Sequence, residues 1–345
     1  KGGVCLNYMK VNCLLKDAAG KINGVHAVDT LDGKEYQIKS KVVVNATGVF
    51  VDDVMKMDEC DTRRKVRPSQ GVHLVVDSKF LGGRSALMIP KTKDGRVLFG
   101  VPWHGKVVLG TTDTPLNEAS LEPRALEEEV DFILDQAGQY LDRKPTRADV
   151  LSIFAGLRPL AAPTHADSKK TKEISRNHKI YRSKSGLLTI TGGKWTTYRA
   201  MAEDVINQAI VIGGLSPAEC VTKNLRVHGY TKEQFDENDW NYVYGSDADK
   251  IQKMIEKESS FAEKLYEGYT FTAAHVVWAA REEFAQNIED VLARRVRMLF
   301  LDARAALKIA PKVASVLAAE LGKDKTWEQA QIADFNRLAR GYILN

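Results

Sequence analysis

Cysteine is scarce in this 345-residue chain, and its spacing carries no chemistry. Cys5, Cys13, Cys60 and Cys220 stand far apart, with no CxxC pair. That argues against a clustered zinc site or a redox dithiol, so no metal is expected. Free thiols in a reducing, cytoplasmic compartment are expected instead. Long apolar runs are also missing: none approaches the roughly 18–20 residues that span a bilayer, and no stretch has the form of a signal peptide. Charge of one sign is in short supply. The chain has 50 basic and 45 acidic residues, a net charge of +5. That excess is too small to argue for nucleic acid, and no zinc-finger or RNP motif adds to it. There is no internal repeat. The chain starts at Lys1 and runs at once into what reads as mid-domain sequence, so a part of a longer protein is expected.

What is present is an ordinary globular composition, 44% apolar and 28% charged, with a length that predicts two or three domains. The stretch at 187–199, LLTITGGKWTTYR, is the most informative. A short run of β-formers ends in Gly192-Gly193, Lys194 follows, and Tyr198, Met201, Ala202, Val205, Ile206, Ala209 and Ile210 then recur at helical spacing. This reads as strand, glycine turn and helix start, with Thr196 or Thr197 as cap. Glycines let a backbone approach another molecule closely, and the first turn of a helix favours an anion. A plain strand-to-helix turn that binds nothing is the competing reading.

Taken in order, residues 3–47 read as a β-meander with strands over 4–15, 25–30 and 36–45. The end of the last strand, Val42-Val43-Val44-Asn45-Ala46-Thr47-Gly48, lacks alternation, as in a strand covered on both faces. Its C-terminal end is where open α/β sheets hold ligands. Asp52-Asp53 starts a short helix, and residues 61–68, DTRRKVRP, form a basic connector. His73 lies in an apolar strand, where a packing role competes with a chemical one. Antiparallel strands are expected at 86–90, 97–102 and 106–112. A helix is expected at 123–141, with Pro123 in its first turn and Leu126, Val130, Ile133, Leu134, Ala137 and Leu141 as its buried stripe. A strand at 150–154 is expected to end before Gly156-Leu157-Arg158-Pro159, where the arginine could act as a fixed fork for an oxyanion. After about 215 the chain turns helical, with helices expected at 249–265, 272–286, 288–306, 312–321 and 326–340.

Six segments in order resemble the FAD-dependent, respiratory glycerol-3-phosphate dehydrogenases. They are Val44-Asn45-Ala46-Thr47-Gly48; Gln70-Gly71-Val72-His73-Leu74-Val75-Val76; Gly110-Thr111-Thr112-Asp113; Gly156-Leu157-Arg158-Pro159-Leu160; Gly192-Gly193-Lys194-Trp195-Thr196-Thr197-Tyr198-Arg199; and Glu289-Asp290-Val291-Leu292-Ala293-Arg294-Arg295. One departure stands out. The family opens with a strand–GxGxxG–helix unit that grips the FAD pyrophosphate, and this chain has no such motif. A second departure is Val49-Phe50, where proline and tryptophan are expected. The fold class expected is α+β. Residues 1–64 and 175–215 would be the remainder of an FAD-binding α/β domain, 65–174 an antiparallel-sheet substrate domain, and 216–345 an all-α domain.

The resemblance implies oxidation of sn-glycerol 3-phosphate to dihydroxyacetone phosphate, with a hydride passing from C2 to flavin N5. It implies His73 as the base, with His104 and His178 as alternatives. Arg158 and Arg176 are implied as phosphate ligands, although Arg158 could instead hold the substrate hydroxyl oxygen. Thr47, Gly48, Gly192, Gly193, Lys194, Trp195 and Thr196 are implied to line the FAD, with Lys194 adding a cation near flavin or substrate. Electrons would pass to quinone or another acceptor. A peripheral face on the inner side of the cytoplasmic membrane is expected from Arg294, Arg295 and Arg297 or from residues 307–321, and a homodimer is a further expected partner. Two alternatives stay open: a glycerophosphate oxidase producing hydrogen peroxide, and a non-catalytic fragment or subunit of the dehydrogenase.

Overall fold

The structure, a computed structural model, describes residues 2–93, 95–162, 178–234, 236 and 239–344. It is a mixed α and β fold with antiparallel sheets and a helical C-terminal region. The chain divides into two compact units. The first comprises Lys1–Gln70, Asp113–Pro123 and Gly156–Leu225; the second comprises Gly71–Thr112, Arg124–Ala155 and Arg226–Asn345.

In the first unit, β1 (Met9–Lys16), β2 (Ile22–Asp29) and β3 (Glu35–Lys39) form the expected antiparallel meander. The strand expected over 36–45 is instead two strands in two sheets. β3 ends at Lys39, Ser40 donates its N–H to Asn23 O at 2.9 Å, and β4 (Val44–Asn45) joins a different sheet. Side-chain alternation explains the change of sheet. Val42 and Val44 pack with Leu188, Ile190, Val205 and Ala209, while Val43 packs with Ile22, Met55 and Leu187. The run is therefore covered on both faces, which a surface meander cannot provide. α1 (Val51–Asp58) carries Asp52 and Asp53 in its first turn, where acidic groups favour the helix dipole. The second sheet is completed by β11 (Lys179–Arg182) and β12 (Leu188–Thr191), in the order β11-β12-β4. β12 runs antiparallel to β11 and parallel to β4, with Leu188 opposite Val44 and Thr189 opposite Asn45. α3 (Tyr198–Ile212) follows a short 3₁₀ turn at Trp195–Thr197. Only part of its expected stripe is covered: Val205 and Ala209 are buried, whereas Tyr198 and Ile206 are exposed.

A larger sheet has the order β10-β5-β8-β7-β6, with β9 (Thr114–Pro115) pairing on β5. It is built from β5 (Val66–Asp77), β6 (Leu87–Ile89), β7 (Leu98–Trp103), β8 (Lys106–Gly110) and β10 (Val150–Ala161). Val72, Leu74, Val76, Ile89, Leu98 and Leu109 are fully buried. They pack with Val130, Ile133, Leu134 and Ala137 of α2 (Glu127–Gly138), each buried Val, Leu or Ile contributing about 1.5–3 kcal/mol by leaving water. α2 starts at Glu127, four residues after Pro123. Leu126 stays extended, and Glu129 Oε2 accepts its N–H at 3.0 Å, which closes the helix start there. Leu126 itself is exposed, so it does not belong to the stripe. β10 also departs from expectation, running through Arg158 and Pro159 to Ala161. Proline is tolerated because β10 is an edge strand.

The helical region fills the rest of the second unit. α4 (Ala248–Lys257) is shorter than expected and is followed by a 3₁₀ turn at Ser259–Ala262. α5 (Ala273–Glu282) is entered from Thr272. The single helix expected over 288–306 is broken. A π turn spans Asp290–Arg295, Arg297 takes the left-handed conformation at φ 58°, and α6 covers only Met298–Leu301. Asp302 then caps α7 (Ala303–Leu321) by accepting the Ala305 N–H at 2.9 Å. α7 runs unbroken through Pro311. Ile309, Ala310, Val313, Ala314 and Leu317 form a buried stripe across that position, and this burial outweighs the lost hydrogen bond. α8 (Lys325–Arg340) closes the chain.

Candidate functional site

Two groups of predicted residues lie in the first unit, and the parallel pair β4 and β12 builds the first of them. Both strands end on the same side, the side where open α/β sheets receive ligands. Asn45, 2% exposed, organises the exit of β4. Its Nδ2 donates to Val51 O at 2.9 Å and to Thr189 Oγ1 at 3.3 Å, and its Oδ1 accepts the Thr47 hydroxyl at 2.8 Å. Gly48 follows at φ 62°, and a Cβ there would meet nothing within 4 Å. Beside it, β12 leaves through Gly192 and Gly193 at φ 79° and 75°. Both glycines occupy a region that side chains avoid. The Thr197 hydroxyl ties the next turn, accepting the Lys194 N–H at 3.1 Å and donating to Lys194 O at 2.9 Å. Lys194 and Thr196 are exposed, and Trp195 is 87% exposed with its ring stacked on Tyr198. The structure thus brings Thr47 and Gly48 to the same sheet edge as Gly192 and Gly193.

That edge leaves room and a hydrogen-bonding group for a bound molecule, and a flavin nucleotide is compatible with it. Thr191, the last residue of β12, is 3% exposed, and its Oγ1 has no hydrogen-bond partner among the described residues. A buried hydroxyl left this way costs free energy unless something supplies a partner. Next to it lie three positive-φ glycines and open space at Gly48.

The second group in this unit surrounds Arg158. Its Nη1 stands 3.5 Å from Asp113 Oδ1, and the Ser69 hydroxyl donates to the same carboxylate oxygen. Asp113 and Ser69 were not singled out from sequence. Asp113 appeared there only as the end of the Gly110–Asp113 segment, without a role, since an ion pair between residues 45 positions apart leaves no local pattern. Arg176 lies outside the described residues.

The second unit holds His73, half-buried on β5. Its ring stacks on Phe154, with centroids 5.2 Å apart, and Phe300 meets Phe154 edge-on at 5.0 Å. His73 stands opposite Gly110 of β8. A Cβ at Gly110 would lie 2.5 Å from His73 Cδ2 and 2.9 Å from Val72 O, so only glycine leaves room for the imidazole. Thr112 is anchored nearby: it accepts the Val72 N–H at 3.1 Å and donates to the buried Glu129 at 2.7 Å. His104 sits elsewhere in this unit, at φ 48° in the β7–β8 turn, against Trp103, Trp240 and Tyr242. Burial, with Arg297 adding to it, holds its imidazole below the ordinary value. His178, in the first unit, is bonded to Asp204 at 2.7 Å.

Two of the residues considered for a membrane face, Arg294 and Arg295, are engaged within the helical region. Arg294 bonds Glu289 and Asp290, and Arg295 bonds Asp290 O and Glu283 O. Among the described residues, no helix is long and apolar enough to cross a membrane, and no group of three or more potential metal ligands occurs.

A parallel strand pair ending in glycine turns, joined to an antiparallel sheet and a helical region, is the architecture of a flavin-type oxidoreductase. The profile of the FAD dependent oxidoreductase family matches residues 1–199, and that of the C-terminal domain of alpha-glycerophosphate oxidase matches 188–329. The chain belongs to the FAD dependent oxidoreductase family. It is similar to the mitochondrial glycerol-3-phosphate dehydrogenase SDP6 of Arabidopsis thaliana, at 39% identity over 96% of this chain and 57% of that protein. It is similar also to the mitochondrial glycerol-3-phosphate dehydrogenase of Bos taurus, at 35% identity over 96% and 49%. The chain therefore spans about half the length of these curated relatives. The solved glycerol-3-phosphate dehydrogenase from Bacillus halodurans, complexed with FAD, superposes with a TM-score of 0.83 at 29% identity, covering 98% of this chain and 69% of that one.

Proposed function

We propose that this chain serves FAD-dependent oxidation of sn-glycerol 3-phosphate to dihydroxyacetone phosphate. The observation that carries the reading is the exit of β4 through Gly48 and of β12 through Gly192 and Gly193, beside a buried Thr191 hydroxyl that has no partner among the described residues. It occurs in a chain whose relatives at 35–39% identity are named glycerol-3-phosphate dehydrogenases. Residues 1–64 and 175–215 would serve the flavin, 65–174 the substrate, and 216–345 form the helical part.

The flavin, when bound, supplies the acceptor for the hydride that leaves C2. Thr47, Gly48, Gly192, Gly193, Trp195 and Thr196 would hold it, their backbone approaching it closely. The chain's own chemistry is proton transfer and charge stabilisation. His73 takes the proton of the C2 hydroxyl, the general-base work that a positioned imidazole performs. Arg158, held near Asp113, offers a planar fork to the phosphate or to the oxygen on which charge develops. Arg176 is assigned to the phosphate and Lys194 to the negative charge near the flavin. Quinone as acceptor, a peripheral membrane contact at the inner face and a homodimer complete the proposal, on the strength of the resemblance. The oxidase alternative is favoured by one observation, the match of residues 188–329 to a glycerophosphate-oxidase domain.

The test is a visible absorbance spectrum of the purified chain, repeated after anaerobic glycerol 3-phosphate. A flavin band that bleaches with substrate supports the proposal. No flavin band after adding FAD refutes it for this polypeptide and leaves the fragment reading standing. Stoichiometric peroxide under air, with fast reoxidation, selects the oxidase.

A further inference from the structure

We propose that His178 and Asp204 form a brace behind the Gly192–Gly193 turn and act as positioning residues for the group that turn receives. The inference rests on the flavin reading above for the identity of that group and on independent geometry for the brace itself.

Strand register sets the brace in place. β11 pairs with β12 so that Lys179 lies opposite Thr191, which leaves His178 beside Gly192, one step beyond the last pair. Packing adds a second contact. A Cβ built at Gly193 would lie 3.4 Å from His178 Cβ and would run into Met201 Sδ. The inner side of the turn is thus occupied by two side chains, and with φ at 75° the glycine is held where no other residue would fit. A hydrogen bond closes the arrangement. His178 Nε2 is 2.7 Å from Asp204 Oδ2, and because a carboxylate only accepts, the imidazole donates. Asp204 stands three residues after Met201 on α3, so both project from one side of that helix. β11, the turn and α3 are therefore tied together where the chain reverses from strand to helix.

The pair is not deeply buried: the side chains are 26% and 53% exposed. A hydrogen-bonded pair this accessible adds little to global stability, so its main consequence is local, fixing the backbone path from Thr191 to Lys194. Thr191, whose buried hydroxyl has no partner among the described residues, begins that path. His178 and Asp204 also line an open polar recess with Asn207 and Gln208, so the pair can be altered without opening the apolar core.

The test compares Asp204→Ala, His178→Ala and Asp204→Glu with wild type by amide hydrogen exchange in the FAD-free chain and by FAD titration. Exchange over residues 191–197 should speed up roughly tenfold in the first two variants, while β1–β3 keep their wild-type rates. Asp204→Glu should restore most of the protection. FAD dissociation constants should rise about fivefold to tenfold in the first two variants, with the melting temperature of the FAD-free chain unchanged. Unchanged exchange at 191–197, or acceleration shared equally by β1–β3, overturns the brace. Faster exchange with wild-type FAD affinity overturns the positioning role while leaving flavin binding intact. If wild type takes up no FAD, the flavin reading fails, and the brace is decided by exchange alone.

Discussion

His275 makes the stability of the second unit depend on pH in a defined window. It is 1% exposed, in the first turn of α5. Its Nδ1 accepts the Thr272 N–H at 2.9 Å, and its Nε2 lies 2.7 Å from Asn241 Oδ1. The network therefore assigns the neutral tautomer with the proton on Nε2. A second proton would be buried and would face the Thr272 N–H, and burial pushes the imidazole down from 6.5 to about 4. The unfolded chain takes up a proton near 6.5 that the folded chain refuses until about 4. Stability is fully present above 6.5 and falls as pH drops through that window. The whole gap corresponds to about 3 kcal/mol, of which about 2 kcal/mol is lost between pH 7.5 and pH 5. Glu283, whose carboxyl burial raises, works in the opposite direction, so wild type alone does not isolate the histidine. The assay is urea unfolding followed by the fluorescence of Trp240 and Trp278, which pack in the same core, for wild type and His275→Gln at pH 7.5, 6 and 5. The variant should be less stable at pH 7.5, and the difference should shrink by about 2 kcal/mol at pH 5. Parallel pH profiles for the two proteins would refute the argument.

Three further outcomes are expected. In the FAD-loaded enzyme, His73→Asn should lower turnover by about 10²–10⁴-fold with little change in substrate affinity; steady-state kinetics with wild-type turnover would remove it as the base. Arg158→Lys should raise KM, lower turnover, or both, because lysine cannot present a planar fork; an unchanged kcat/KM would return Arg158 to a structural role. Gly110→Ala places a methyl against His73 and the Val72 carbonyl, and should destabilise by about 1–3 kcal/mol. Thermal unfolding checks this, and a wild-type melting temperature contradicts the close approach.

Much of the candidate site could be proposed from the sequence because its elements are local. The glycine pair before Lys194, the valine run before Thr47 and the histidine inside an apolar strand each show in a window of a few residues. Asp113 and Ser69 did not show, because their link to Arg158 joins β5, the turn after β8 and β10, which are distant in sequence. The helical region was misread where burial overrode local preference. Separate helices were expected at 288–306 and 312–321, but the buried stripe from Ile309 to Leu317 carries α7 straight through Pro311. The boundary lies instead at Arg297 and Asp302, both inside the helix expected over 288–306.

By itself the sequence determined the period of each element, the glycines that no side chain could replace, and the order of the motifs that place the chain in its family. These follow from backbone sterics and side-chain spacing, which act over a turn or a strand. The tertiary structure alone decided that the valine run leaves the meander for a parallel sheet, that Gly110 makes room for His73, and that His178 meets Asp204 behind the glycine turn. Each of those depends on which distant segment fills the neighbouring space. That is a matter of packing across the whole core, not of any residue's local preference.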